Sequence, residues 1–250
     1  MKPQQYEQLM REHECYSGIR VPPGMWTVLR LDGRGFHAVT ERMDRPFDTY
    51  FHRGMVKAAM ALVVDLRPIY AYIQSDEISV AFLPQFDLFG RRVEKLVSIA
   101  AGIVSAHLSV DIQKPAGFDG RIWLGAGVDD VVDYFSWRSA DCDRNCLNGL
   151  AQACLREQGM SPADVHKRLL GVDRKELHIL LGLSKFDYGA LPSAQKNGSE
   201  IFWLGETRRD LCPYPGPVTD VRDDYREAVK NRLLAPQAYG FGGAKGVENE

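Results

Sequence analysis

The order of apolar patterns constrains this chain more than any other feature. Trp26-Thr-Val-Leu-Arg-Leu31 reads as a strand that ends on Asp32-Gly33. From Asp48 to Leu66, apolar residues at Met55, Ala59, Leu62, Val63 and Leu66 recur at helical spacing, and Arg67-Pro68 closes the segment. Ile69 to Ile73 and Ile78 to Leu83 are two strand-like runs, separated only by Gln74-Ser-Asp-Glu77, which is short enough for a hairpin. Arg91 to Leu108 returns to the helical period through Val93, Leu96, Val97, Ala100, Val104 and Leu108, and Ile122 to Val128 is a further strand after a turn at Phe118-Asp-Gly-Arg121. The order β-α-β-β-α-β is the ferredoxin-like plan, an α+β fold of four antiparallel strands with two helices on one face, and polymerase palms use it.

Beyond that unit, Asp141 to Arg156 reads as a helix, Ser161-Pro162 as an N-cap with proline at the first helical position, Arg174 to Leu181 as a helix and Ile201 to Leu204 as a strand. The expected organisation is a palm-like catalytic domain over 1–136, opened by a polar helix at residues 3 to 14. A C-terminal helical and strand extension over 137–250 packs on it in one compact unit. Gly240-Phe-Gly-Gly-Ala-Lys-Gly246 predicts a flexible tail from about residue 240.

With 250 residues, 45% of them hydrophobic, the chain can bury a full core. Its net charge of -2 argues against a protein that coats nucleic acid through overall positive potential, so any RNA contact must come from local basic patches. Cys15, Cys142, Cys146, Cys154 and Cys212 are scattered and form no CxxC pair; buried reduced thiols in a cytoplasmic protein are expected, not structural zinc. No membrane span is expected, since no apolar stretch approaches the roughly 20 residues a span needs, and residues 1–14 have no apolar signal core.

In a ferredoxin-like sheet the first and third strands are antiparallel neighbours. The end of the first therefore meets the turn before the third, which predicts that Asp32 and Asp76 face each other at one rim with the Gly33 carbonyl beside them. Two carboxylates and a carbonyl make a hard oxygen site suited to Mg²⁺, and two such ions about 3.5 to 4 Å apart promote phosphoryl transfer. Aspartate is also common in turns for conformational reasons, so the tripeptide or the hairpin alone carries little. Arg45 before the first helix, and Arg91, Arg92 and Lys95 at the start of the second, are candidate triphosphate contacts. Cations at a helix N-terminus oppose its dipole unless an anion binds there. A solvated helix surface is the ordinary alternative.

With those residues in view, the chain resembles the tRNA-His guanylyltransferase family and its bacterial and archaeal relatives, the 3′-to-5′ polymerases. Arg30-Leu-Asp-Gly-Arg-Gly-Phe-His37 and Gln74-Ser-Asp-Glu77 are similar to its two metal motifs. Phe118-Asp-Gly-Arg121 and Ser136-Trp-Arg-Ser-Ala-Asp-Cys142 are similar to two further signatures. The resemblance implies that Asp32, Gly33 and Asp76 hold two Mg²⁺ ions, that Arg45, Ser75, Arg92 and Lys95 contact ATP or GTP, and that His37 and Glu77 are motif positions, Glu77 among the catalytic acids. It further implies tRNA as partner and a homotetramer. In the implied reaction ATP or GTP activates the RNA 5′-phosphate, and the 3′-hydroxyl of an incoming nucleotide then attacks it.

Where the histidine-specific eukaryotic enzymes carry His-Ile-Asn-Asn, this chain has Asp143-Arg-Asn-Cys146, with only Asn145 in common. That departure favours template-dependent repair of tRNA 5′ ends over guanylate addition to histidine tRNA as the expected function. Arg45 also stands where many members have lysine, and Phe47 where asparagine is common. Phe135 and Trp137 are expected in the core, with Arg138 and Asn145 turned toward the RNA substrate or a partner subunit; Lys196 is a candidate RNA contact, an exposed loop lysine being the ordinary alternative. A palm-type nucleotide cyclase and a non-catalytic RNA-binding protein are the competing classes.

Overall fold

The computed structural model describes the chain apart from residues 1, 42, 45–46, 183–186, 204–210, 215–221 and 239–250; the expected tail and Arg45 lie outside the described residues. The helices are α1 (Pro3–Glu12), α2 (Phe36–Val39), α3 (Thr49–Leu66), α4 (Val93–Ile112), α5 (Val128–Glu157), α6 (Pro162–Leu169), α7 (Arg174–Gly182), α8 (Ser193–Asn197) and α9 (Arg222–Ala238). The strands are β1 (Trp26–Arg34), β2 (Tyr70–Gln74), β3 (Glu77–Phe82), β4 (Gly117–Gly125), β5 (Ser199–Trp203) and β6 (Leu211–Tyr214).

They form one antiparallel sheet in the order β4-β1-β3-β2-β5-β6. The inner four strands are the ferredoxin-like unit read from the sequence, and β5 and β6 extend it at the β2 edge. Alternation along each strand sends side chains to two cores. Leu29, Leu31, Ile73 and Ile78 pack with Met55, Leu62, Val104 and Leu108 of α3 and α4. Trp26, Val28, Tyr70 and Tyr72 pack with Val131, Phe135, Tyr225, Val229 and Leu233 of α5 and α9. The two palm helices α3 and α4 therefore lie on one face, as expected, and the C-terminal extension packs on the other through α5 and α9.

Helix α5 is continuous through position 136, beginning where the Asp130 carboxylate accepts the Ala126 and Gly127 N–H groups at 2.7 and 2.9 Å. Two further departures follow from packing. The Phe118-Asp-Gly-Arg121 segment is not a turn but the first half of β4, paired with β1 through Asp119↔Asp32 and Arg121↔Arg30. Helix α4 is long and apolar enough to cross a membrane by length and composition, against the expectation of no such stretch. It lies on the sheet through Leu96, Ala100, Val104, Leu108 and Ile112. Cys142, Cys146 and Cys154 are buried, as expected of small apolar thiols, and burial pushes the first two up to about 12.

Candidate active site

Register brings the two aspartates together. Asp32 stands opposite Glu77 across β1 and β3, and the Gly33 N–H donates to the Asp76 carbonyl at 3.0 Å. The β2–β3 loop is only Ser75-Asp76, and Ser75 accepts a left-handed φ of 48° to close it. Gly33 is required by space: a Cβ there would lie 2.4 Å from the Phe36 ring and 2.8 Å from the Asp76 Oδ2. Burial first, and the Asp32 charge in addition, raise the Asp76 carboxyl above its ordinary range, while Ser75 and backbone bonds pull it down.

Two side-chain rows cross the strands on this face. The first is acidic, Asp119, Asp32 and Glu77; the second, two residues along, places Arg121 opposite Arg30. Arg30 lies 4.0 Å from Asp32 and 3.7 Å from Glu77, and Arg121 lies 3.8 Å from Asp32 and 3.3 Å from Asp119. Sequence motifs alone missed this pairing because Arg121 was read in a turn.

Glu77 and Arg138 form a buried fork. The guanidinium donates to both Glu77 oxygens at 2.8 and 2.6 Å and to Asp141 at 3.1 Å, and both residues are nearly buried. Arg138 is thus committed to an internal ion pair and not turned outward to RNA as expected, while Trp137, expected inside, is 51% exposed. Glu77 is likewise held by Arg138 where a catalytic acid was expected. Burial pushes its carboxyl up against the pull of Arg138 and Arg30.

These groups line a cavity of about 900 Å³, walled by Asp32, Ser75, Asp76 and Glu77 on the sheet, Phe47, Phe51 and His52 around the start of α3, Trp137, Arg138, Arg144 and Asn145 on α5, and Gln195 on α8. His52 Nε2 lies 3.0 Å from Ser199 Oγ, and burial lowers its imidazole below the ordinary range. Asn145 borders the cavity and leans on Asp141 at 3.4 Å. Lys196 is not in the cavity wall: it donates to the Gly189 carbonyl at 3.2 Å and lies over Tyr188.

Three predicted phosphate contacts lie elsewhere. Helix α4 runs antiparallel to α3, whose Tyr50 and Lys57 bond to Asp111 near the C-terminus of α4. The start of α4 is therefore at the opposite end of the sheet, about 30 Å along a 20-residue helix. Arg91 and Arg92 pair there with residues 19–21 and with Asp87 and Phe89, and Lys95 is one turn beyond. Helix polarity favours an anion at this end of α4 but does not fix which end of the helix meets the acids. His37 is exposed on α2, in the loop just after β1 and outside the cavity wall.

Comparison with known proteins fits this geometry. A family model described as tRNAHis guanylyltransferase matches residues 7–125, and one described as Thg1 C terminal domain matches 129–234. A probable tRNA(His) guanylyltransferase of Mus musculus is 32% identical over 197 residues, 72% of this chain and 65% of that protein. The tRNA(His) guanylyltransferase of Schizosaccharomyces pombe is 30% identical over 201 residues, 75% of this chain and 76% of that protein. The chain thus spans about 65% of the length of the mammalian relatives it matches. A bacterial tRNA(His) guanylyltransferase (Thg1)-like protein solved in complex with ATP superposes with a TM-score of 0.76 at 26% identity, covering 91% of this chain and 98% of that one.

Proposed function

The chain belongs to the tRNAHis guanylyltransferase family, and from that premise we propose that it transfers nucleotides to the 5′ end of a tRNA, with guanylate addition to histidine tRNA as the specific reaction. The observation that carries this reading is the convergence of Asp32 and Asp76 on a cavity large enough for a nucleotide and an RNA end. The Asp143-Arg-Asn-Cys146 departure by itself favours 5′-end repair. The names of the relatives favour guanylate addition instead.

The donor set fits magnesium. Asp32 and Asp76 flank a glycine that leaves no room for a side chain, so two carboxylates and a bare carbonyl supply the hard oxygen donors that the ion prefers. Asp32, Asp76 and the Gly33 carbonyl would hold the ions, which when bound supply charge neutralisation at the reacting phosphates. Arg30 and Arg121 hold Asp32 in place, and Ser75 holds Asp76. In the proposed sequence the RNA 5′-phosphate oxygen attacks the α-phosphorus of ATP or GTP and releases pyrophosphate. The 3′-hydroxyl of the incoming nucleotide then attacks the activated 5′ phosphorus, expels the activating nucleoside monophosphate and loses its proton to solvent.

Repair is the second reading, and one observation favours it. Asp143, at the position of the histidine in His-Ile-Asn-Asn, is bonded to Arg174 and Tyr188, so it ties α5 to α7 and the loop before α8 and presents no imidazole to RNA. One assay separates the readings. With Mg²⁺, ATP and GTP, the protein should add guanylate to 5′-monophosphorylated histidine tRNA. Extension only of tRNAs that lack their first nucleotide would support repair, and extension of neither would reject both. A cyclic product from nucleotide alone would restore the cyclase alternative.

A further inference from the structure

Of the four tryptophans, Trp26 and Trp203 are buried and Trp123 is half-buried, whereas Trp137 is 51% exposed at the rim of the active-site cavity. An indole left half in water forfeits burial worth more than any other side chain offers, so a fixed exposed one calls for a reason. This one is fixed. The Arg138 guanidinium lies over the Trp137 ring at 4.6 Å and is clamped in turn by Glu77 and Asp141, while the Tyr134 ring meets it edge-on at 5.7 Å. Tyr134 is anchored through Ser79 at 3.0 Å. The platform is therefore held by the residue that directly follows Asp76 in sequence.

Its position separates two kinds of space. Inward lies the enclosed cavity, lined by Gln74, whose buried Oε1 has no hydrogen-bond partner among the described residues. Outward, Trp137 also borders a shallow, open groove with Trp123, Leu124 and Tyr134. A mononucleotide fits the enclosed side. A flat aromatic surface at the boundary suits the end of a polymer, whose terminal base presents a π-face whatever its identity. Arg144 on the next turns of α5 adds positive charge at the cavity wall.

We propose that Trp137 is the stacking platform for the terminal base at the 5′ end of the RNA substrate, a role that rests on the reading of the site given above. It sets the distance between the RNA end and the two aspartates, and it acts on RNA affinity, not on nucleotide affinity.

The test uses the full chain and a 5′-monophosphorylated acceptor-stem minihelix, with binding read by tryptophan fluorescence and transfer read separately. RNA should quench the wild-type emission, and Trp137→Phe should remove most of that quench while binding persists. Trp137→Ala should weaken RNA affinity and raise the KM for RNA by about 10-fold, within the range for a lost base stack, with the KM for ATP in the activation step unchanged. Circular dichroism checks the fold; should Trp137→Ala fail to fold, the quench in Trp137→Phe decides. An undiminished quench in Trp137→Phe, an unchanged RNA affinity in folded Trp137→Ala, or a change confined to the KM for ATP overturns the platform. A Trp137-dependent quench without any 5′ extension leaves the platform standing and removes the proposed reaction. Extension with no contribution from Trp137 does the reverse.

Discussion

The two ends of the central sheet carry similar numbers of arginines and do opposite things with them. At the acid end, Arg30, Arg121 and Arg138 are set among Asp32, Glu77, Asp119 and Asp141, next to the cavity. At the other end, Arg20 donates to the Gly90 carbonyl at 2.7 Å, Arg92 leans on the Phe89 carbonyl at 3.4 Å, and Arg91 sits 3.8 Å from Asp87. Arg20 and Arg92 thereby satisfy carbonyls of a left-handed turn at Phe89, Gly90 and Arg91. Positive charge therefore marks a reaction site only where the fold also gathers acids and leaves room for a substrate. The same residue type at a helix start is otherwise occupied with closing a loop.

The largest expected effect lies at the acid end. Asp32→Ala or Asp76→Ala should lower 5′ transfer by about 10³-fold or more, because the loss of a metal ligand removes several kcal/mol of transition-state charge stabilisation. For Asp76→Ala the melting temperature in chelator should not fall, since that substitution removes a buried carboxylate whose charged form burial already disfavours. Transfer surviving either change would break the assignment of the two ends. Glu77→Gln should act differently. It leaves the buried Arg138 guanidinium with Asp141 as its remaining charged partner and should cost about 3 kcal/mol of stability, read by denaturant unfolding. Through the looser indole it should raise the KM for RNA more than it lowers kcat.

The acid end was legible in the sequence because both aspartates sit at strand termini, where a period-2 pattern and a two-residue loop fix position closely. Three things were not legible. Register across β4 needed pairing that a single strand does not encode, so Arg121 was hidden in an apparent turn. The polarity of α4 relative to the acids depends on which end of the sheet its connections reach, so Arg91, Arg92 and Lys95 were assigned to the wrong end. The second helical layer came from α5, which starts thirteen residues before the segment read as a helix at Asp141, and from α9, whose pattern carries few apolar residues apart from Tyr225, Val229 and Leu233. Inside α5, Trp137 and Arg138 exchanged their expected places because a bidentate carboxylate partner makes arginine the better buried residue.

A smaller effect sharpens the contrast from the far end. Gly90 has φ 58°, and an added Cβ would approach the Arg20 guanidinium at 3.1 Å. Gly90→Ala should therefore cost about 1 kcal/mol of stability from backbone strain while kcat/KM for transfer stays at the wild-type value. A loss of transfer without a matching loss of stability would mean that the far end of one copy serves the acid end of another, and the comparison would then describe an assembly in place of a chain.

The smallest effect concerns how the cavity wall responds to pH. Burial lowers the His52 imidazole below its ordinary value of 6.5, so the folded chain keeps this side chain neutral where the unfolded chain binds a proton. Stability then rises with pH wherever the unfolded state holds more protons. The contribution of His52 is therefore a penalty that is absent at neutral pH, appears as pH falls through 6.5 and is fully developed below the lowered folded value. His52→Gln can keep a hydrogen bond to Ser199 without titrating, and it should flatten the fall in melting temperature between neutral and mildly acidic pH. An unchanged slope would mean that the imidazole is as accessible to protons in the folded protein as in the unfolded chain. The α3 wall of the cavity would then be as wet as the far-end loop, and the distinction between an enclosed nucleotide side and an open RNA side would lose its footing there.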